Sequence, residues 1–119
     1  MRCLWLSERL LIEEAKRRAE IYENLLSYLK TAYYVVKGLD KNAEIYIFGS
    51  VADKRNLISS DIDLLVVTDL PPEIVIAKLW ENGITDPFEI HVVFCDTLNL
   101  YKQRTKLEKV EFLLEHKDF

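Results

Sequence analysis

Residues 48–67 read FGSVADKRNLISSDIDLLVV, and the folding of this stretch decides how the rest of the chain is organised. Just upstream, AEIYIF at 43–48 carries the alternation and the β-branched and aromatic residues of a strand, and it runs straight into Gly49-Ser50. At the far end, IDLLVV at 62–67 is a nearly continuous apolar run, as a central strand requires. Val51 to Arg55 reads as a turn or short helix and Asn56 to Ser60 as a loop. Side chains on a strand alternate faces, so Asp61 and Asp63 share one face while Ile62, Leu64 and Val66 go into the core. At about 3.3 Å of rise per residue their Cα atoms stand about 6–7 Å apart, and the carboxylates can converge on one cation or a pair.

Working outward, residues 7 to 37 have apolar positions at helical spacing, from Leu10 and Leu11 through Leu25, Leu29, Tyr33 and Val36. The spacing predicts one long amphipathic helix, with Ser7 placed to cap it and Gly38 to stop it. After the central strand, Pro71-Pro72 starts a second helix that ends at Asn82-Gly83. A third strand, FEIHVVFC, follows at 88–95, and LNLYKQRTKLEKVEFLLEH offers one or two amphipathic helices. The order predicts an α/β (α+β) fold, a small mixed β-sheet of three to four strands flanked by helices, in a single domain over 1–119.

On the third strand Glu89 and His91 alternate against Phe88, Ile90 and Val92, so a neighbouring strand can bring a third carboxylate to the Asp61/Asp63 face. Its place on that strand face selects Glu89 over Asp96 as third ligand, and a hard cation's preference for carboxylate over imidazole selects it over His91, which is left as solvent face. Oxygen donors select Mg²⁺ or Mn²⁺, whose shell is then completed by substrate phosphates. Gly49 lets backbone approach a ligand closely, and Ser50 offers a hydroxyl beside free N–H groups. Lys54 and Arg55 follow with positive charge, and metal-assisted attack on a nucleoside triphosphate is the reaction class implied. Tyr33, Tyr34, Tyr46 and Trp80 read as core rather than as a nucleotide platform.

Sixteen Lys and Arg against twenty Asp and Glu give a formal charge of −4, so long nucleic acid is not an expected partner. Cys3 and Cys95 are too few for a disulfide framework or structural zinc. MRCLWLSERLLIEEAKRR turns to charge too soon for a signal peptide, and no run approaches the ~20 apolar residues of a membrane span. A cytoplasmic protein with no membrane contact is expected.

Gly49-Ser50, ten residues, then Asp61-Ile62-Asp63 resembles the G-S-x₁₀-D-x-D signature of the minimal nucleotidyltransferases, small members of the DNA polymerase β-like superfamily. Ser60 before the first Asp and Leu64 after the second also fit, and the resemblance covers about residues 44 to 95. It implies Mg²⁺-dependent transfer of a nucleoside monophosphate, AMP from ATP, to an acceptor hydroxyl. By that resemblance Gly49 and Ser50 hold the triphosphate, Asp61 and Asp63 ligate metal, and Glu89 stands at the third carboxylate. Asp53 and Lys54 replace the Arg and Gly of the family's G-S-x-A-R-G, which sets an acidic group near the triphosphate. Small prokaryotic members pair with a HEPN-domain toxin, so the resemblance further implies an antitoxin that adds AMP to a tyrosine of that partner. Two alternatives stay open: an inactive antitoxin of the same fold acting by contact, and a small-molecule transferase that would need to dimerise.

Overall fold

The run IDLLVV forms β2 (Ile62–Val67), in which every residue but Asp63 is buried. The computed structural model describes residues 2–48 and 62–116. With β1 (Glu44–Phe48), β3 (Phe88–Val93) and β4 (Leu107–Lys109), β2 makes one mixed sheet in the order β3-β2-β1-β4. β1 is antiparallel to β2 and β4, and β2 and β3 run parallel. Parallel neighbours need a crossover, and here it is α3 (Pro72–Glu81), opened by its proline. It closes through Gly83, whose φ of +86° is the left-handed conformation that a residue with a Cβ rarely adopts.

One face of the sheet carries Ile45, Ile47, Ile62, Leu64 and Val66 against Leu25, Leu29, Ala32 and Val36 of α2 (Leu25–Leu39). Val75 and Leu79 of α3, and Val110 and Leu113 of α5 (Val110–His116), complete that core. Among the described residues the other face has the thinner cover. Tyr46, Leu65 and Val67 are covered there by Leu98 and Tyr101 of α4 (Leu98–Arg104), with Phe48 and Leu107 alongside.

The amino-terminal helix differs from the sequence expectation. It is two segments, α1 (Arg2–Glu23) and α2, so Ser7 lies inside α1 and Gly38 inside α2. The interruption is Asn24, whose side-chain amide donates to the Glu20 carbonyl at 2.9 Å, a local bond that competes with the helical ladder. The stop is Asp40, two residues beyond Gly38. Its backbone N–H donates to the Val36 carbonyl, its Oδ1 accepts from the Asn42 N–H, and its Oδ2 accepts from the Thr68 hydroxyl at 2.6 Å. Leu10 and Leu11, read from the spacing as part of the buried stripe, are exposed, since among the described side chains burial in the core begins at Ile21. Arg17 ties α1 to the body by donating to the Asp86 carboxylate at 2.7 Å.

Tyr46 is core as expected, whereas Tyr34 and Trp80 are exposed. The third strand ends at Val93, two residues early, because Cys95–Thr97 turns into a 3₁₀ helix. The carboxyl-terminal segment, expected to hold one or two helices, holds two, with β4 between them. Glu44 binds β4 to β1, accepting from the Tyr46 phenol at 2.9 Å and pairing with Lys109 at 3.2 Å. Burial, reinforced by Glu44, pushes the Tyr46 phenol up to about 12.

Leu64→Ala should cost about 2–5 kcal/mol in urea unfolding, as expected for a leucine emptied from a packed core, whereas Leu11→Ala should stay within about 0.5 kcal/mol. The hydroxyl of Thr68, then the Asn42 N–H, hold the Asp40 carboxyl below its ordinary value. The stabilisation this gives is complete above the ordinary carboxylate range and is lost as pH falls through the lowered folded value. Thr68→Val should therefore raise the Asp40 pKa in a carboxyl-detected NMR titration and flatten the acid limb of the stability curve.

Candidate functional site

β2 and β3 pair with Asp63 opposite Glu89, Leu64 opposite Ile90 and Leu65 opposite His91. Asp63, Glu89 and His91 therefore share the thinner face of the sheet, at the end where β1 finishes at Phe48 and β2 begins. The backbone holds that register at both limits: the Ile62 N–H donates to the Pro87 carbonyl at 2.9 Å, and the Thr68 N–H to the Val93 carbonyl at 3.0 Å. A slip of one residue would turn the carboxylates into the core.

Ligand atoms of Asp63, Glu89 and His91 all lie within 4.8 Å of one another. The His91 Nε2 stands 3.6 Å from Asp63 Oδ1 and 3.7 Å from Glu89 Oε1. Two acidic residues directly opposite each other on neighbouring strands repel. With the imidazole nitrogen beside them they form a donor set that fits a divalent cation. Asp63 and His91 are partly buried, and Glu89 is exposed enough to meet a ligand arriving from solvent.

His91, read from the sequence as solvent face, is partly buried. Its ring is not a solvent-facing bystander: it packs 5.2 Å from the Phe48 ring and 6.4 Å from Tyr101, which themselves meet edge to face at 5.7 Å. Phe48 comes from β1 and Tyr101 from α4, so the aromatic contacts that aim the imidazole are long-range and invisible in the strand's own alternation. The pairing of Glu-x-His with Asp-x-Asp on one sheet face was the available signal. Asp96, the carboxylate set aside in favour of Glu89, is exposed in the 3₁₀ turn, and the Thr97 hydroxyl meets its Oδ1 at 3.5 Å. Gly49, Ser50, Lys54, Arg55 and Asp61 lie outside the described residues.

Beside Glu89 a cleft of about 370 Å³ is lined by Trp80, Thr85, Asp86, Pro87 and Phe88. A larger groove of about 420 Å³ lies away from the carboxylates, between α2 and α5, where Leu26, Tyr33, Tyr34 and Leu114 line it with Lys30 and Glu111. No helix among the described residues is long and apolar enough to cross a membrane.

Two solved structures share this fold. One, from Sulfolobus solfataricus and described as a "putative nucleotidyltransferase", is 25% identical, covering 81% of this chain and 83% of its own with a TM-score of 0.52. Another of the same description is 26% identical over 67% of this chain and 94% of its own, with a TM-score of 0.51. No curated protein matches the chain significantly. The model of the nucleotidyltransferase domain family matches residues 23–117, which takes in all four strands and the three-residue cluster. With most of its length accounted for by that match, the chain belongs to the nucleotidyltransferase domain family.

Proposed function

We propose that this nucleotidyltransferase moves AMP from ATP to a hydroxyl on a protein partner, a tyrosine of a helical HEPN-domain toxin, and thereby acts as its antitoxin. The observation that carries the transfer chemistry is the in-register pairing of Asp63 with Glu89, two carboxylates held against their mutual repulsion at one end of the sheet. Asp61 joins them by sequence spacing, as the other half of Asp-x-Asp. Bound Mg²⁺ or Mn²⁺ supplies charge neutralisation for the triphosphate and acidifies an oxygen that it holds. Asp63, Glu89 and Asp61 are the residues that would hold it.

The chain's own contribution is to position the reactants. Gly49 and Ser50 receive the triphosphate, with Lys54 and Arg55 near enough in sequence to offset its charge. The acceptor oxygen forms a bond to the α-phosphorus as the bond from that phosphorus to the bridging oxygen breaks. Pyrophosphate leaves with that electron pair, and the hydroxyl proton passes to solvent or a basic group. A phenol suits this step because its proton is lost more readily than that of an aliphatic alcohol.

The partner reading is supported by apolar surface. Leu10, Leu11 and Ile12 stand exposed on α1, and the groove between α2 and α5 offers Tyr33, Tyr34, Leu26 and Leu114. Val110 and Leu113 of α5 are covered by the chain's own core and leave the partner surface to these residues.

Incubated with ATP and Mg²⁺, the purified protein should increase the mass of a co-expressed HEPN partner by about one AMP or a small multiple, with the added group on tyrosine. Asp63→Asn should lower that rate by about 10²–10³-fold, the usual cost of removing one electrostatic contributor to a transition state, and chelation should abolish it. A partner left unmodified yet still neutralised by Asp63→Asn would establish action by contact alone.

A further inference from the structure

Resting on the metal-dependent reading above, we infer that His91 is itself a metal ligand, and that its imidazole makes this site prefer a divalent transition-metal ion such as Mn²⁺ over Mg²⁺. Three features of the imidazole carry the inference. Its Nε2 is shielded from solvent and has no hydrogen-bond partner among the described residues, an arrangement that costs free energy if nothing binds there. That same atom faces two carboxylate oxygens at 3.6 and 3.7 Å, too far for hydrogen bonds to either. Those separations lie at the wide end for donors on a common ion: with bonds of about 2.1 Å, ligands about 90–130° apart stand about 3.0–3.8 Å from each other.

The ring is also held in place for the task. Phe48 and Tyr101 pack against it from two other elements, so the nitrogen does not swing away when a cation is absent. One nitrogen among oxygen donors changes selectivity. Mg²⁺ is a hard ion that keeps to oxygen, whereas Mn²⁺, Fe²⁺ and Co²⁺ accept imidazole alongside carboxylate and gain affinity in that order.

The test uses the untagged full chain loaded with Mn²⁺ alone, read by pulsed electron paramagnetic resonance. The chain has two histidines, His91 and His116, so labelling histidine with ¹⁵N and comparing variants assigns any coupled nitrogen. The expected spectrum shows one ¹⁴N coupling that converts to ¹⁵N on labelling and vanishes in both His91→Gln and His91→Phe, the second of which keeps an aromatic ring against Phe48 and Tyr101. Calorimetric competition should show Mn²⁺ binding at least about tenfold more tightly than Mg²⁺, with the ratio falling about tenfold in His91→Gln. Bound Mn²⁺ without nitrogen coupling, or an unchanged Mn²⁺/Mg²⁺ ratio in both variants, overturns the inference and leaves the metal-dependent transferase standing. Failure of any divalent cation to bind overturns both.

Discussion

The parallel pairing of β2 with β3 is the constraint on which the site depends. It sets Asp63 against Glu89 and Leu65 against His91, and backbone bonds at Ile62 and Thr68 keep the two strands from sliding. Side chains on the buried face, Ile62, Leu64 and Val66, lock the same register from below because any slip would expose them. The thick core under α2, α3 and α5 thus acts as an anvil: it holds in place an arrangement of like charges that would be unfavourable alone.

The two faces of the sheet divide the work. One is sealed by three helices. Among the described residues the other has a lighter cover, with α4 laying Leu98 and Tyr101 over Leu65 and Val67. That thin cover serves two ends, since Tyr101 and Phe48 orient His91 while Glu89 stays open to solvent. Two carboxylates and an imidazole on rigid strands, steadied by aromatic neighbours, are preorganised to take a cation.

Much of this was legible in the sequence where local pattern and tertiary need coincide. The apolar run at 62–67 can be satisfied only by burial on both faces, and Pro72 and Gly83 punctuate α3 by their own backbone restrictions. β4 was not legible, because three residues of Leu-Glu-Lys have no pattern of their own and become a strand only by pairing with β1. The break at Asn24 rests on one side-chain bond within a helical pattern that continues on both sides. Among the site residues, the facing of Asp63 and Glu89 followed from strand alternation, given that their strands were neighbours. The setting of His91 did not, since it depends on rings brought from the end of β1 and from α4.

The most direct measurement of the central claim, that this cluster of carboxylates is built around a divalent cation, is the thermal midpoint of the full chain as Mn²⁺ is raised from a chelated baseline. A ligand that binds only the folded state stabilises by RT ln(1 + [L]/Kd), about 2.7 kcal/mol at a hundredfold excess over Kd. The midpoint should climb with the logarithm of Mn²⁺ concentration in the wild type and stay level when Asp63 and Glu89 are both made amides. A wild-type midpoint that does not move up to millimolar Mn²⁺ would contradict it.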